Sequence, residues 1–206
     1  MSKATSNKST HKILASVALV VAAAGVAGLG TFGSFSSSTS ASQAVDSGTV
    51  SIVLGASGAG NRLSVAATGL VPGDTVQRAV SLSNNGDQNL NAVTLTTSAS
   101  PSSKLDTDVT NGLKFKIESC SVAWTETGTA PAYTYSCSGT KLTVLAERPI
   151  IGANVALSNV GALTAAKTDN LVVTATLPAT ADNTFQGLSS TVNFAFNGTQ
   201  RTATNK

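Results

Sequence analysis

The run Leu113, Lys114, Phe115, Lys116, Ile117, Glu118 alternates apolar and charged side chains without a break. Side chains of a strand point to opposite faces in turn, so this run fits a half-buried β-strand and puts no continuous apolar stripe on a helix. The same period recurs along the chain. Val50, Ile52 and Leu54 share one face, as do Val93 and Leu95, Leu142 and Val144, Leu171, Val173 and Ala175, and Val192, Phe194 and Phe196. Val76, Val80 and Leu82 alternate as well, although Arg78 interrupts them. Between these runs stand turn residues: Val71, Pro72, Gly73, Asp74, and then Asn84, Asn85, Gly86, Asp87, which predict a hairpin. The stretch 147–167 is weakly patterned, and no segment sustains a helical period. About nine short strands separated by turns predict an all-β fold, a single jelly-roll-like β-sandwich.

Upstream of the first run the chain changes character. Lys3, Lys8, His11 and Lys12 are followed by the apolar stretch 13–29, and no acid precedes Asp46. That stretch is interrupted by Ser16, Gly25 and Gly28 and is shorter than the roughly 20 apolar residues of a membrane span. No basic stop-transfer patch follows it. A cleaved export signal is therefore expected, with membrane contact only in transit. The absence of a cysteine near its end argues against a lipoprotein. The junction is placed at Ser34 and Phe35, although Phe32 occupies a position where signals usually carry a small residue; Ser40, Ala41 and Ser42 offer a second cleavage point. The expected organisation is a signal over 1–34, an N-terminal segment over 35–54, the sandwich over 55–198 and a polar tail over 199–206.

Charge narrows the function. The whole chain carries a net charge of +3, and removal of Lys3, Lys8 and Lys12 leaves ten basic and ten acidic residues. A formally neutral mature chain does not suit nucleic acid or an anionic membrane surface, both of which select basic patches. With only 11% charged residues, little repels one copy from another. Cys120 and Cys137, in an exported protein, are read as one disulfide worth about 3 kcal/mol by the loop-entropy estimate. Two thiols without a histidine are a poor metal site, and their spacing is not that of a CxxC redox motif.

Enzymatic chemistry finds few residues to work with. The single histidine, His11, lies inside the signal, and neither HExxH nor GxSxG occurs, so no catalytic residue, metal or cofactor is assigned. Asp106 and Asp108 form the closest acidic pair, a Ca²⁺ candidate weighed against an ordinary solvated turn. Residues 177–181 resemble a sortase signal but lack the apolar span and basic tail that anchoring needs. Trp124, Tyr133 and Tyr135 are expected to pack around the disulfide, with an exposed binding platform as the alternative.

The residues also carry a resemblance. Gly30, Thr31, Phe32 and Phe35 look like the processing region of signals cut by a SipW-type peptidase. The succession Ser47-Gly48-Thr49-Val50, Leu70-x-Pro72-Gly73-Asp74, Asn84-Asn85-Gly86, Gln186-Gly187 and Val192-x-Phe194-x-Phe196 is similar to the TasA and camelysin family of exported biofilm-matrix proteins. The resemblance covers both ends and not 101–167, and the cysteine pair departs from the pattern. It implies a secreted or surface-bound structural protein trimmed by a dedicated signal peptidase. It further implies a homopolymeric fibre, built as each subunit donates its N-terminal strand to the next, with other matrix components as further partners. Phe35, Val45, Val50, Ile52 and Leu54 are then the candidate donor residues, with Phe35 and Val45 as anchors and Val50 and Ile52 either donated or folded in cis. A monomeric surface adhesion module and a camelysin-like metallo-endopeptidase are the alternatives.

Overall fold

A computed structural model describes residues 36–38, 50–63 and 69–203. The chain divides into two units: Met1–Ser34 lies outside the described residues, and every described strand belongs to the second, Phe35–Lys206.

Eleven strands are described: β1 (Ser36–Ser38), β2 (Ile52–Leu54), β3 (Thr75–Asn84), β4 (Leu90–Ala99), β5 (Lys114–Cys120), β6 (Thr125–Thr127), β7 (Thr134–Ser136), β8 (Lys141–Pro149), β9 (Gly152–Ala156), β10 (Thr168–Thr176) and β11 (Val192–Gln200). One sheet runs β1-β11-β4-β9 and the other β2-β3-β10-β5-β8, while β6 and β7 pair separately. All strand pairs are antiparallel. The chain changes sheet between β3 and β4, β4 and β5, β8 and β9, β9 and β10, and β10 and β11. These crossings give the sandwich its jelly-roll character. β11 continues to Gln200, two residues into the stretch read as a tail.

The alternating runs explain the core. Val80 and Leu82 of β3, Leu171 and Val173 of β10, and Phe115 and Ile117 of β5 face Val93 and Leu95 of β4 and Phe196 of β11, all buried in one cluster. Phe115 and Phe194 meet edge to face at 6.1 Å between centroids, the arrangement favoured by ring quadrupoles. Arg78 keeps its place on the inner row, opposite Val173, and is buried. Its guanidinium donates to Gln77 O at 2.7 Å and lies 5.9 Å from the Tyr133 ring centroid, and burial holds it below the usual arginine range.

One expectation needs correction. Residues 84–87 close no hairpin, because β3 and β4 lie in different sheets. Asn84 makes the turn self-sufficient: its amide donates to Gln88 O at 3.0 Å and its Oδ1 accepts from Gly86 N–H at 2.9 Å. No ladder between the flanking strands is then required. The loop between the cysteines contains the β6–β7 hairpin, and the weakly patterned stretch 147–167 contains β9. Among the described residues, helix is confined to short pieces such as α1 (Lys104–Thr107).

Candidate assembly edge

The N-terminal segment supplies an outer strand to both sheets. β1 pairs with β11 through Ser36 and Thr199, Ser37 and Gly198, and Ser38 and Asn197. β2 pairs with β3 through Ile52 and Asn84, Val53 and Ser83, and Leu54 and Leu82. Both strands are three residues long, whereas the strands they lie against have nine and ten residues. Among the described residues, positions 192–196 of β11 have a strand neighbour on the β4 side alone. Backbone N–H and C=O groups on such an edge are the natural receptor for an added strand.

Val50, Ile52 and Leu54 fall where their shared parity predicts. Val50 and Ile52 are buried, Leu54 packs partly against the core, and Val53 points outward. In this structure they are therefore folded in cis. Ile52 reaches across the gap to the opposite sheet, where Gly198 leaves room for it. Ser34, Phe35 and Val45 lie outside the described residues.

Beyond β2 the segment stays on the β3 edge. Gly55 N–H donates to Ser81 O at 2.9 Å, Ser81 N–H to Gly60 O at 2.7 Å, and Arg62 N–H to Ala79 O at 2.8 Å. Arg62 then turns to the β6–β7 hairpin. Its Nε and Nη2 donate to the two carboxylate oxygens of Glu126 at 3.0 and 2.7 Å, and its Cζ lies 4.7 Å from the Tyr133 ring centroid. Tyr135 donates its hydroxyl to Glu126 Oε2 at 2.8 Å. The Arg62 fork holds the Glu126 carboxyl below the usual range, and Glu126 in turn raises the guanidinium. Burial, aided by the bond to Glu126, pushes the Tyr135 hydroxyl up to about 12. Sequence reading misses Arg62 and Glu126, because a charged pair 64 positions apart has no periodic signature.

Cys120 and Cys137 form the expected disulfide, with Cα atoms 5.8 Å apart, closing the loop that contains the hairpin. The aromatic residues of this loop have identifiable partners, and that of Trp124, Asn170, stands opposite Cys120 in the β10–β5 ladder. Tyr133 and Tyr135 serve the Arg62 cluster, and Trp124 Nε1 donates to Asn170 O on β10 at 2.8 Å.

The aspartate pair is structural and, at Asp106, buried instead of solvated. Asp106 accepts from Ser103 N–H at 2.7 Å and from the hydroxyls of Ser102 and Ser190, and with Ser103 it forms the capping box of α1. Burial works against its charge but is outweighed by the bonds from Ser102, Ser190 and Ser103, so its carboxyl lies below the usual range. Asp108 accepts the N–H groups of Thr110 and Asn111, both at 2.9 Å.

A family model described as camelysin metallo-endopeptidase matches residues 8–205, nearly the whole chain. The chain belongs to the camelysin family. This is the family that includes TasA, in agreement with the motifs at both ends. No curated protein matches the chain. No helix among the described residues is long and apolar enough to cross a membrane.

The family description implies a metal, and the donor set of this camelysin-family chain does not fit one. Its lone histidine is His11, both cysteines are joined to each other, and Asp106 spends its oxygens on three serines. Among the described residues no three His, Cys, Asp or Glu side chains are gathered closely enough to hold an ion. A catalytic zinc wants three protein ligands, commonly with histidine among them.

Proposed function

We propose that this camelysin-family protein is an exported structural protein. After cleavage near Ser34 and Phe35, it polymerises into extracellular fibres by lending its N-terminal segment to the next subunit. The observation that carries this reading is that the described part of the N-terminal segment before Val50, β1, lies at the outer edge of its sheet on β11, where a strand from another subunit could pair in its place. An intermolecular strand laid there satisfies the same edge N–H and C=O groups of β11 from a second subunit.

Register bears on the choice of anchors. Ser37 stands opposite Gly198, on the row of β11 that also holds the buried Phe196. In a continuous extended strand, residues of one parity share a face, so Phe35 and Val45 belong to the row of Ser37. A donated strand in this register would set Phe35 on that row against β11, while Val45, opposite position 190, would fall past the start of the strand. The low charge of the mature chain removes the repulsion that would oppose close stacking of subunits.

Deletion of residues 35–46 tests the reading. Electron microscopy should show filaments for the complete mature protein and none for the deletion variant; normal filaments from the variant would sink it. The proposed structural role is not catalytic. Casein cleavage by the purified protein, abolished by a chelator, would instead establish the activity that the family description names.

A further inference from the structure

Arg62 marks the point at which the N-terminal segment is gripped by a part of the chain remote from it. Its backbone is bonded to Ala79 on β3, its guanidinium grips Glu126 through two hydrogen bonds, and Tyr133 lies against its flat face. The hairpin that carries these partners is itself fixed in three places. The disulfide closes its root, Trp124 Nε1 is bonded to Asn170 O, and Tyr135 N–H donates to the Gln77 side chain at 3.1 Å.

We propose that this cluster is a latch that divides the N-terminal segment into a releasable part before Val50 and a part from Val50 onward that stays in its own subunit. The purpose of the latch rests on the fibre reading, although its grip on the segment does not. Releasing β2 would empty the space that Ile52 fills beside Gly198, and peeling the segment onward through Arg62 would strip the backbone bonds at Gly55, Gly60 and Arg62 from β3. It would also leave Glu126 with Tyr135 alone, forfeiting a bidentate ionic pair, the strongest kind of side-chain hydrogen bonding. Release that stops before Val50 breaks none of these. The disulfide matters because a hairpin pinned at its root cannot follow Arg62 outward as the segment peels.

Amide hydrogen exchange of the purified protein tests the latch residue by residue. In Glu126→Gln, the Gly55 and Arg62 amides should exchange roughly tenfold faster. Tyr133→Leu, which keeps the ion pair and removes the stack, should give a smaller change. Val93 on β4 and Phe196 on β11 should be unaffected in both. Unchanged exchange at Gly55 and Arg62 overturns the proposal, and so does uniform acceleration through the sandwich, which would make the pair an ordinary fold stabiliser. In filaments of the unaltered protein, Gly55 and Arg62 should keep the protection of the monomer; loss of it there would also overturn the latch. Local acceleration in the variants without filaments from any form of the protein would remove the fibre reading and leave the grip on the segment standing.

Discussion

Gly198 on β11 and Ile52 on β2 stand against each other across the gap between the sheets. A β-carbon on residue 198 would lie 2.4 Å from Ile52 Cδ1 and 3.0 Å from Leu90 Cδ1. The sandwich thus omits a side chain on one sheet to admit one from the N-terminal segment. That segment is consequently part of the core and not merely a leader to it.

Gly198→Ala should destabilise the protein by about 1–3 kcal/mol, the usual cost of overpacking. Ile52→Ala should cost about 2–5 kcal/mol through the cavity it leaves. Because the two residues share one space, Gly198→Ala should cost less when Ile52 is already alanine. Urea denaturation of the four proteins measures this coupling, and strict additivity would show that the two residues do not compete.

Acid should loosen the end of the sandwich at α1. Asp106 has a folded-state pKa below its unfolded value, so the stability it contributes is fully present above about pH 4 and is lost as pH falls through the folded value. The melting temperature of Asp106→Asn should therefore lie below that of the unaltered protein at pH 7, with the gap narrowing towards pH 3. Ser103→Ala, which removes the cap from Leu105 N–H, should cost about 1 kcal/mol.

Replacing both cysteines by serine should cost about 3 kcal/mol, as expected for a loop of this length. The hairpin tip around Gly128 and Pro131 is exposed, and it should become the first site of limited proteolysis once its root is open. Mass spectrometry of the early fragments locates the cut. Equal resistance with and without the disulfide would mean that Trp124 and Tyr135 hold the hairpin unaided.

Strict alternation makes the strands legible in advance. Val50 and Ile52, Val80 and Leu82, Phe115 and Ile117, and Leu171 and Val173 are all buried on the faces that their spacing assigns. The disulfide is equally plain from two cysteines once an export signal is read ahead of them. The turn at Asn84 misleads, because its residues announce a reversal without saying whether the returning strand rejoins the same sheet. Arg78 reads as a break in the pattern, yet it keeps the inner row, with its buried guanidinium bonded to Gln77 O and set near the Tyr133 ring. The hairpin inside the cysteine loop is illegible because three-residue strands are too short to display a period.

The sequence by itself determined which residues face inward and where the chain turns, since both follow from bonded geometry over a few residues. It also determined that no histidine follows His11. Tertiary structure alone decided that β1 lies on β11 and β2 on β3, that Ile52 fills the space beside Gly198, and that Arg62 meets Glu126. These pairings join residues tens to more than a hundred positions apart. They are selected by which edges remain open and which spaces remain empty once the sheets pack, and no local pattern records either.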